Sequence, residues 1–122
     1  MYTPELADHL ANPRNVGELE NPTGTGDVVN EVCLDRIRLT VRVDQGILTE
    51  AKVKASGCPP TLAAASALTE LIVGMNVEVL RSLTPDDVEA KLGRLPAAKQ
   101  HCAQLAIEAL REALEGRRDS GS

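Results

Sequence analysis

Aliphatic and polar residues alternate without a break from Arg36 to Val43: Ile37, Leu39, Val41 and Val43 fall on one side, Arg36, Arg38, Thr40 and Arg42 on the other. A period of two predicts a strand with one buried and one wet face. Asp44-Gln45-Gly46 reads as a turn, and Ile47–Lys54 as the return strand, with Ile47, Ala51 and Val53 on its inner side. Asp27–Val32 is a weaker strand candidate upstream. The polar Gly17–Gly26 stretch, interrupted by Gly and Pro and without periodicity, reads as a mobile loop.

The rest of the chain carries helical signals. Thr3 as N-cap, Pro4 at the first helical position and Glu5 in the first turn predict a helix over 4–11, stopped by Asn12-Pro13. Thr61–Val73 contains Glu70 as its single charge, so it predicts a helix buried nearly all round, and its Ala63-Ala64-Ala65 run permits close approach of a neighbour. Gly74 ends it. A short helix is predicted over Met75–Leu83, capped by Asn76, and another opens at Thr84-Pro85-Asp86-Asp87 and closes at Gly93. Leu95–Lys99 links to a long helix from about Ala98 to Glu115, stopped by Gly116. The order predicts an α+β fold: a three-stranded antiparallel sheet with helices packed on one face. Residues 1–116 read as a single domain, with 1–26 mobile, and 117–122 as a polar tail.

Composition narrows the functional classes. The 122 residues include one Tyr, no Phe and no Trp, while Ala supplies fifteen, so the core is aliphatic and offers no aromatic platform for stacking bases. With a net charge of -5, a phosphate-tracking surface is also disfavoured, and no nucleic-acid partner is expected. No stretch approaches the roughly 20 apolar residues of a membrane span, and Met1-Tyr2-Thr3-Pro4-Glu5 lacks the basic and apolar regions of a signal peptide. The expectation is a cytoplasmic protein with no membrane partner. Charge is uneven: residues 1–35 hold seven acids against Arg14, and 36–58 hold five bases against two acids. Two readings stay open, steering of a partner or solvated faces of separate elements.

The three cysteines all fall at predicted element junctions. Cys33 precedes the alternating strand, Cys58 opens the buried helix, and Cys102, preceded by His101, lies in the first turn of the last helix. A helix N-terminus lowers the pKa of a nearby thiol, so Cys58 and Cys102 are expected to gain thiolate character. Cys102 shares a helical face with Ala106, Ala109 and Ala113, which is turned inward; His101 lies about 100° away. Asp35 points to the same side as Cys33 in an extended segment. If the sheet end meets both helix tips, three sulfurs, an imidazole and a carboxylate converge into a set that suits zinc or an iron–sulfur cluster. Spacing alone also permits three incidental thiols, because separations of 25 and 44 residues match no finger or ribbon.

Four ordered motifs add a resemblance. His9-Leu10-Ala11-Asn12-Pro13-Arg14-Asn15-Val16-Gly17, Cys33-Leu34-Asp35, Gly57-Cys58 and Leu95-Pro96-Ala97-Ala98-Lys99-Gln100-His101-Cys102 resemble, in order and spacing, those of the NifU/IscU family of iron–sulfur cluster assembly scaffolds. The resemblance covers the whole chain and implies a scaffold without turnover chemistry. Such a protein accepts persulfide sulfur from a cysteine desulfurase, combines it with iron, holds a [2Fe–2S] cluster transiently and passes it to apo iron–sulfur proteins. Carried over by position, it implies Cys33, Cys58 and Cys102 as ligands with Asp35 or His101 as exchangeable fourth, Cys102 as first sulfur acceptor, and Asp35 as the group that keeps the cluster labile. A carboxylate is a harder, weaker iron ligand than a thiolate, which suits release. Zinc can occupy the same ligands, and an Hsp70-type chaperone reads the Leu95–Lys99 segment in some relatives.

The departures are specific. Leu34 stands where the family has Gly and is less free to adopt positive φ, Pro59-Pro60 stiffen the segment after Cys58, and Ala97 replaces a Pro in the Leu95–Lys99 segment. Two rival functions remain: a zinc-bound sulfur acceptor that stimulates a desulfurase, and a structural zinc domain. His9 is expected to serve structure, and Arg36, Arg38 and Arg42 a solvated face.

Overall fold

A computed structural model describes residues 2–31 and 34–116. Helix α1 (Pro4–Ala11) is followed by strands β1 (Gly24–Asn30), β2 (Asp35–Asp44) and β3 (Ile47–Ser56). Helices α2 (Pro59–Ile72), α3 (Val77–Leu80) and α4 (Pro85–Lys91) come next, then a 3-10 turn (Ala97–Lys99) that runs into α5 (Gln100–Glu115). The sheet is an antiparallel meander in the order β1-β2-β3. Its inner face meets α2 and α5, which also pack on each other, with α1 outside α2 and α4 against both.

The β2–β3 hairpin closes through Gln45 and Gly46, both at positive φ as a two-residue type I′ turn requires. Ile37, Leu39, Val41 and Val43 are buried as their alternation predicts. The return strand departs by one residue. Arg42 pairs with Glu50 but Val43 with Leu48, so Thr49 bulges and the buried set becomes Leu48, Ala51 and Val53, with Ile47 only half-buried. The Thr49 hydroxyl secures the bulge by donating to the Arg42 carbonyl at 3.1 Å.

Strand β1 begins inside the stretch read as loop. Gly24 and Gly26 contribute nothing to strand propensity, but Gly26 lets the strand lie against the backbone of α5. A Cβ on Gly26 would stand 2.0 Å from the Ala109 carbonyl oxygen. Tertiary packing overrides the local signal here.

The charged segments meet each other. Asp27 pairs with Arg36 at 2.5 Å and Arg38 at 3.0 Å, and Glu18 with Arg38 at 3.1 Å and Lys54 at 3.8 Å. The acid-rich first third therefore neutralises the outer face of its own sheet, where the loop after α1 also lies: Leu19 N–H donates to the Thr40 hydroxyl at 3.0 Å.

The N-terminal segment is ordered by contacts with α2 and β3. Thr3 caps α1, accepting from Leu6 N–H at 3.1 Å, and its hydroxyl donates to the Leu92 carbonyl. Val53 N–H donates to the Asn15 carbonyl at 2.8 Å and Gly17 N–H to the Val53 carbonyl at 2.9 Å, closing the outer edge of β3. Ser66 on α2 accepts from Arg14 N–H at 2.9 Å and lies 2.7 Å from His9 Nδ1; Asn15 donates to the Thr69 hydroxyl at 3.0 Å. His9 thus serves structure, as expected. Among the described residues no helix is long and apolar enough to cross a membrane.

Candidate metal centre

Three chain segments converge at one end of the sheet. β2 brings Asp35, its first residue. β3 runs out at Ser56 and turns through Gly57, so that Cys58 becomes the N-cap of α2. The tip of α5 brings His101 and Cys102.

The turn at Gly57 depends on the missing side chain. Its φ is +133°, and a Cβ there would come within 2.0 Å of Asp35 Oδ1. That space is what allows the buried Asp35 carboxylate to accept the Cys58 N–H at 3.1 Å. A carboxylate removed from water requires such partners; its other oxygen faces His101 Nε2 at 3.5 Å and Cys58 Sγ at 3.9 Å.

The ligand-type atoms are spaced as if around one ion. One atom from each of Asp35, Cys58 and Cys102 lies within 4.8 Å of the other two. The two sulfurs are 3.7 Å apart. Thiolates bound to one tetrahedral metal at about 2.3 Å would be separated by about 3.8 Å. His101 Nε2 is 3.6 Å from Cys102 Sγ, close to the edge of about 3.5 Å for a mixed sulfur–nitrogen pair. Cys58 and Cys102 are free thiols. The donor set of two thiols, an imidazole and a carboxylate fits zinc or iron.

Cys58, Cys102, Asp35 and His101 therefore come together as anticipated, whereas Cys33 lies outside the described residues, as does the polar tail 117–122. One expectation is corrected, and one departure from the family pattern is placed. The Cys102 thiol is not lowered by its helix terminus: burial among α2 and α5 pushes it up to about 11, reinforced by the neighbouring Cys58 thiol and Asp35 carboxylate and opposed by the Thr61 hydroxyl. Desolvation of a fully buried sulfur outweighs the partial charge of one helix end. Leu34, in turn, does adopt positive φ, at +60°, with its N–H donating to the Asn30 carbonyl at 2.6 Å and its side chain exposed. The turn that admits Asp35 to the sheet demands that conformation even without Gly.

Thr61 is the residue that sequence reasoning missed. Fully buried in the first turn of α2, its hydroxyl donates to Cys102 Sγ at 3.2 Å and lies 3.3 Å from Cys58 Sγ. A polar residue three positions after Cys58, at the start of an Ala-rich helix, was the available signal.

Comparison with known proteins agrees with this architecture. Residues 1–118 match the family described as NifU-like N terminal domain. The chain is similar to iron–sulfur cluster assembly scaffold protein IscU 1 of Archaeoglobus fulgidus, 39% identical over 114 residues that cover 93% of this chain and 74% of that protein. It is likewise similar to the scaffold protein IscU of Aquifex aeolicus, 35% identical over 116 residues, with coverage of 93% and 74%. In fold it resembles the crystal structure of the N-terminal part of a nitrogen-fixing NifU-like protein from Brucella abortus: TM-score 0.76 at 14% identity, covering 93% of this chain and 91% of that one.

Proposed function

The chain belongs to the NifU-like N-terminal domain family, and on that premise we propose that it is a scaffold for iron–sulfur cluster assembly, with no turnover chemistry of its own. The observation that carries the reading is the convergence of Asp35, Cys58 and Cys102 within 4.8 Å, with His101 against two of them. Iron and sulfide are cargo here. Cys58 and Cys102 hold the iron, joined by Cys33 from the segment preceding β2, and Asp35 or His101 completes the set. The cargo is a [2Fe–2S] cluster, and zinc occupies the same ligands in its absence.

The mixture of ligands supports transient holding. Two thiols bind iron firmly, whereas a carboxylate is a weaker ligand that exchanges readily. Asp35 is also tied to the Cys58 N–H, so it stays in place when it lets go of metal. Cys102 is the first acceptor of persulfide sulfur from a cysteine desulfurase, and apo iron–sulfur proteins receive the finished cluster. The exposed Pro96, Ala97 and Ala98, between the buried Leu95 and the half-buried Lys99, form an accessible segment of the kind an Hsp70-type chaperone reads. The protein works in the cytoplasm.

Anaerobic incubation with a cysteine desulfurase, cysteine, ferrous iron and a thiol tests the proposal. A visible spectrum of a [2Fe–2S] cluster that transfers to an apo-ferredoxin is expected. Faster desulfurase turnover without a cluster spectrum would replace the scaffold by a zinc-bound sulfur acceptor. Neither effect would leave a structural zinc domain.

A further inference from the structure

We propose that Thr61 is a positioning residue for the Cys102 sulfur: its hydroxyl donates to that sulfur, holds it facing Cys58, and reduces the electron density it gives to a bound metal. The inference rests on the metal-site reading above and deepens it.

The geometry leaves the hydroxyl little choice. Thr61 is fully buried, so no water competes for its single proton. In a first helical turn a Thr hydroxyl commonly turns back to a carbonyl three or four residues earlier. The nearest such acceptor, the Cys58 carbonyl, already takes Thr61 N–H at 3.0 Å and Leu62 N–H at 3.3 Å. The hydroxyl sits instead between the sulfurs, donating to Cys102 Sγ at 3.2 Å, with Cys58 Sγ 3.3 Å away.

The bond to Cys102 is the shorter of the two, and in it Thr61 is the donor. A donor aimed at sulfur stabilises its lone pairs, and in a water-poor site the bond is stronger than in solvent. Hydrogen bonds to ligand sulfurs are among the means by which a protein tunes a bound metal. Thr61 also sits on the same helix start as Cys58, so its hydroxyl links the sulfur at the tip of α2 to the one carried by α5.

The test uses Co2+ alone as spectroscopic probe, titrated anaerobically into the wild-type chain and into Thr61→Val, Thr61→Ser and Thr61→Ala. Wild type should show a sulfur-to-cobalt charge-transfer band. Thr61→Val keeps the volume and loses the donor; its band should move to longer wavelength, and affinity should fall by about tenfold, the lower end for loss of a ligand's supporting contact. Thr61→Ser should restore both band and affinity. If Val is not accommodated and the variant unfolds, Thr61→Ala against Thr61→Ser gives the same contrast. A Val or Ala variant with the wild-type band and affinity would overturn the proposal, as would a Ser variant that behaves like Ala, since packing of the methyl group would then be the cause. Absence of a charge-transfer band in the wild type would instead overturn the metal-site reading on which the proposal rests.

Discussion

Helix α2 carries two polar clusters that differ in one measurable respect. Where α1 and the following segment dock, Ser66, Thr69 and Glu70 meet His9, Arg14 and Asn15. The Ser66 contacts to His9 and Arg14 are 2.7 and 2.9 Å and the Asn15–Thr69 bond 3.0 Å, all ordinary hydrogen-bond lengths, and only the ion pairs of Glu70 with His9 and Arg14 are longer, at 3.5 Å. At the start of the helix the side-chain pairs His101–Asp35, His101–Cys102, Cys58–Cys102 and Cys58–Asp35 are 3.5, 3.6, 3.7 and 3.9 Å apart. Those spacings are loose for hydrogen bonds and right for atoms that share a metal. The first cluster ties α1 and the following segment to α2, although among the described residues Arg14 Nη1 stays buried without a partner. The second is the candidate metal centre.

The largest effect that could break this contrast belongs to the second cluster. Cys102→Ser should lower Zn2+ affinity by more than about a hundredfold, beyond the range for supporting contacts, in competition with a chelating dye. The metal-free melting temperature should change little. Retained affinity would remove Cys102 from the ligand set.

A smaller, opposite signature is expected of Ser66→Ala. It leaves the His9 ring nitrogen and the Arg14 N–H without their partner, a loss of about 1–3 kcal/mol, read from urea unfolding, while Zn2+ binding by the folded protein stays as in wild type. A fall in affinity without a fall in stability would show that the clusters are not separable in this way.

The smallest effect is in pH. Burial holds His9 below the ordinary imidazole range, aided by Arg14 and Lys91 and opposed by Glu70 and Asp8. Its folded pKa is thus below its unfolded value of about 6.5, and the neutral ring is what the fold accommodates. The corresponding stability is complete above about 6.5 and is lost as pH falls toward the folded pKa. Urea midpoints measured downward from pH 8 should decline through that window, and less so in His9→Gln. Equal slopes in both would place the effect on other groups.

The two clusters also differ in how far sequence alone revealed them. The cap at Thr3, the hairpin at Gln45-Gly46 and the alternation of β2 are local, and the chain writes local rules plainly. The metal-type residues were legible because their chemistry is rare and their order matched a family. What escaped depends on contacts across the fold: β1 starting at Gly24 because α5 presses on it, Leu48 replacing Ile47 through the bulge at Thr49, and the raised Cys102 thiol, which follows from burial that helix position does not encode. Leu34 belongs with these, since a side-chain preference gave way to the path the backbone had to take. Thr61 lay between: its spacing from Cys58 was visible, its contact with Cys102 was not.

The meeting of Gly26 with the Ala109 carbonyl has a consequence at a distance. A helix seated on side chains inherits the play of their rotamers. Where a strand without a Cβ touches helical backbone directly, that slack disappears, and the helix is located as a machined part is located by a hard stop. Cys102 is seven residues up the same helix, about 10 Å along its axis. The precision with which its sulfur is aimed is therefore set partly by a glycine on β1, and a single methyl group there would act as a shim under the helix that carries it.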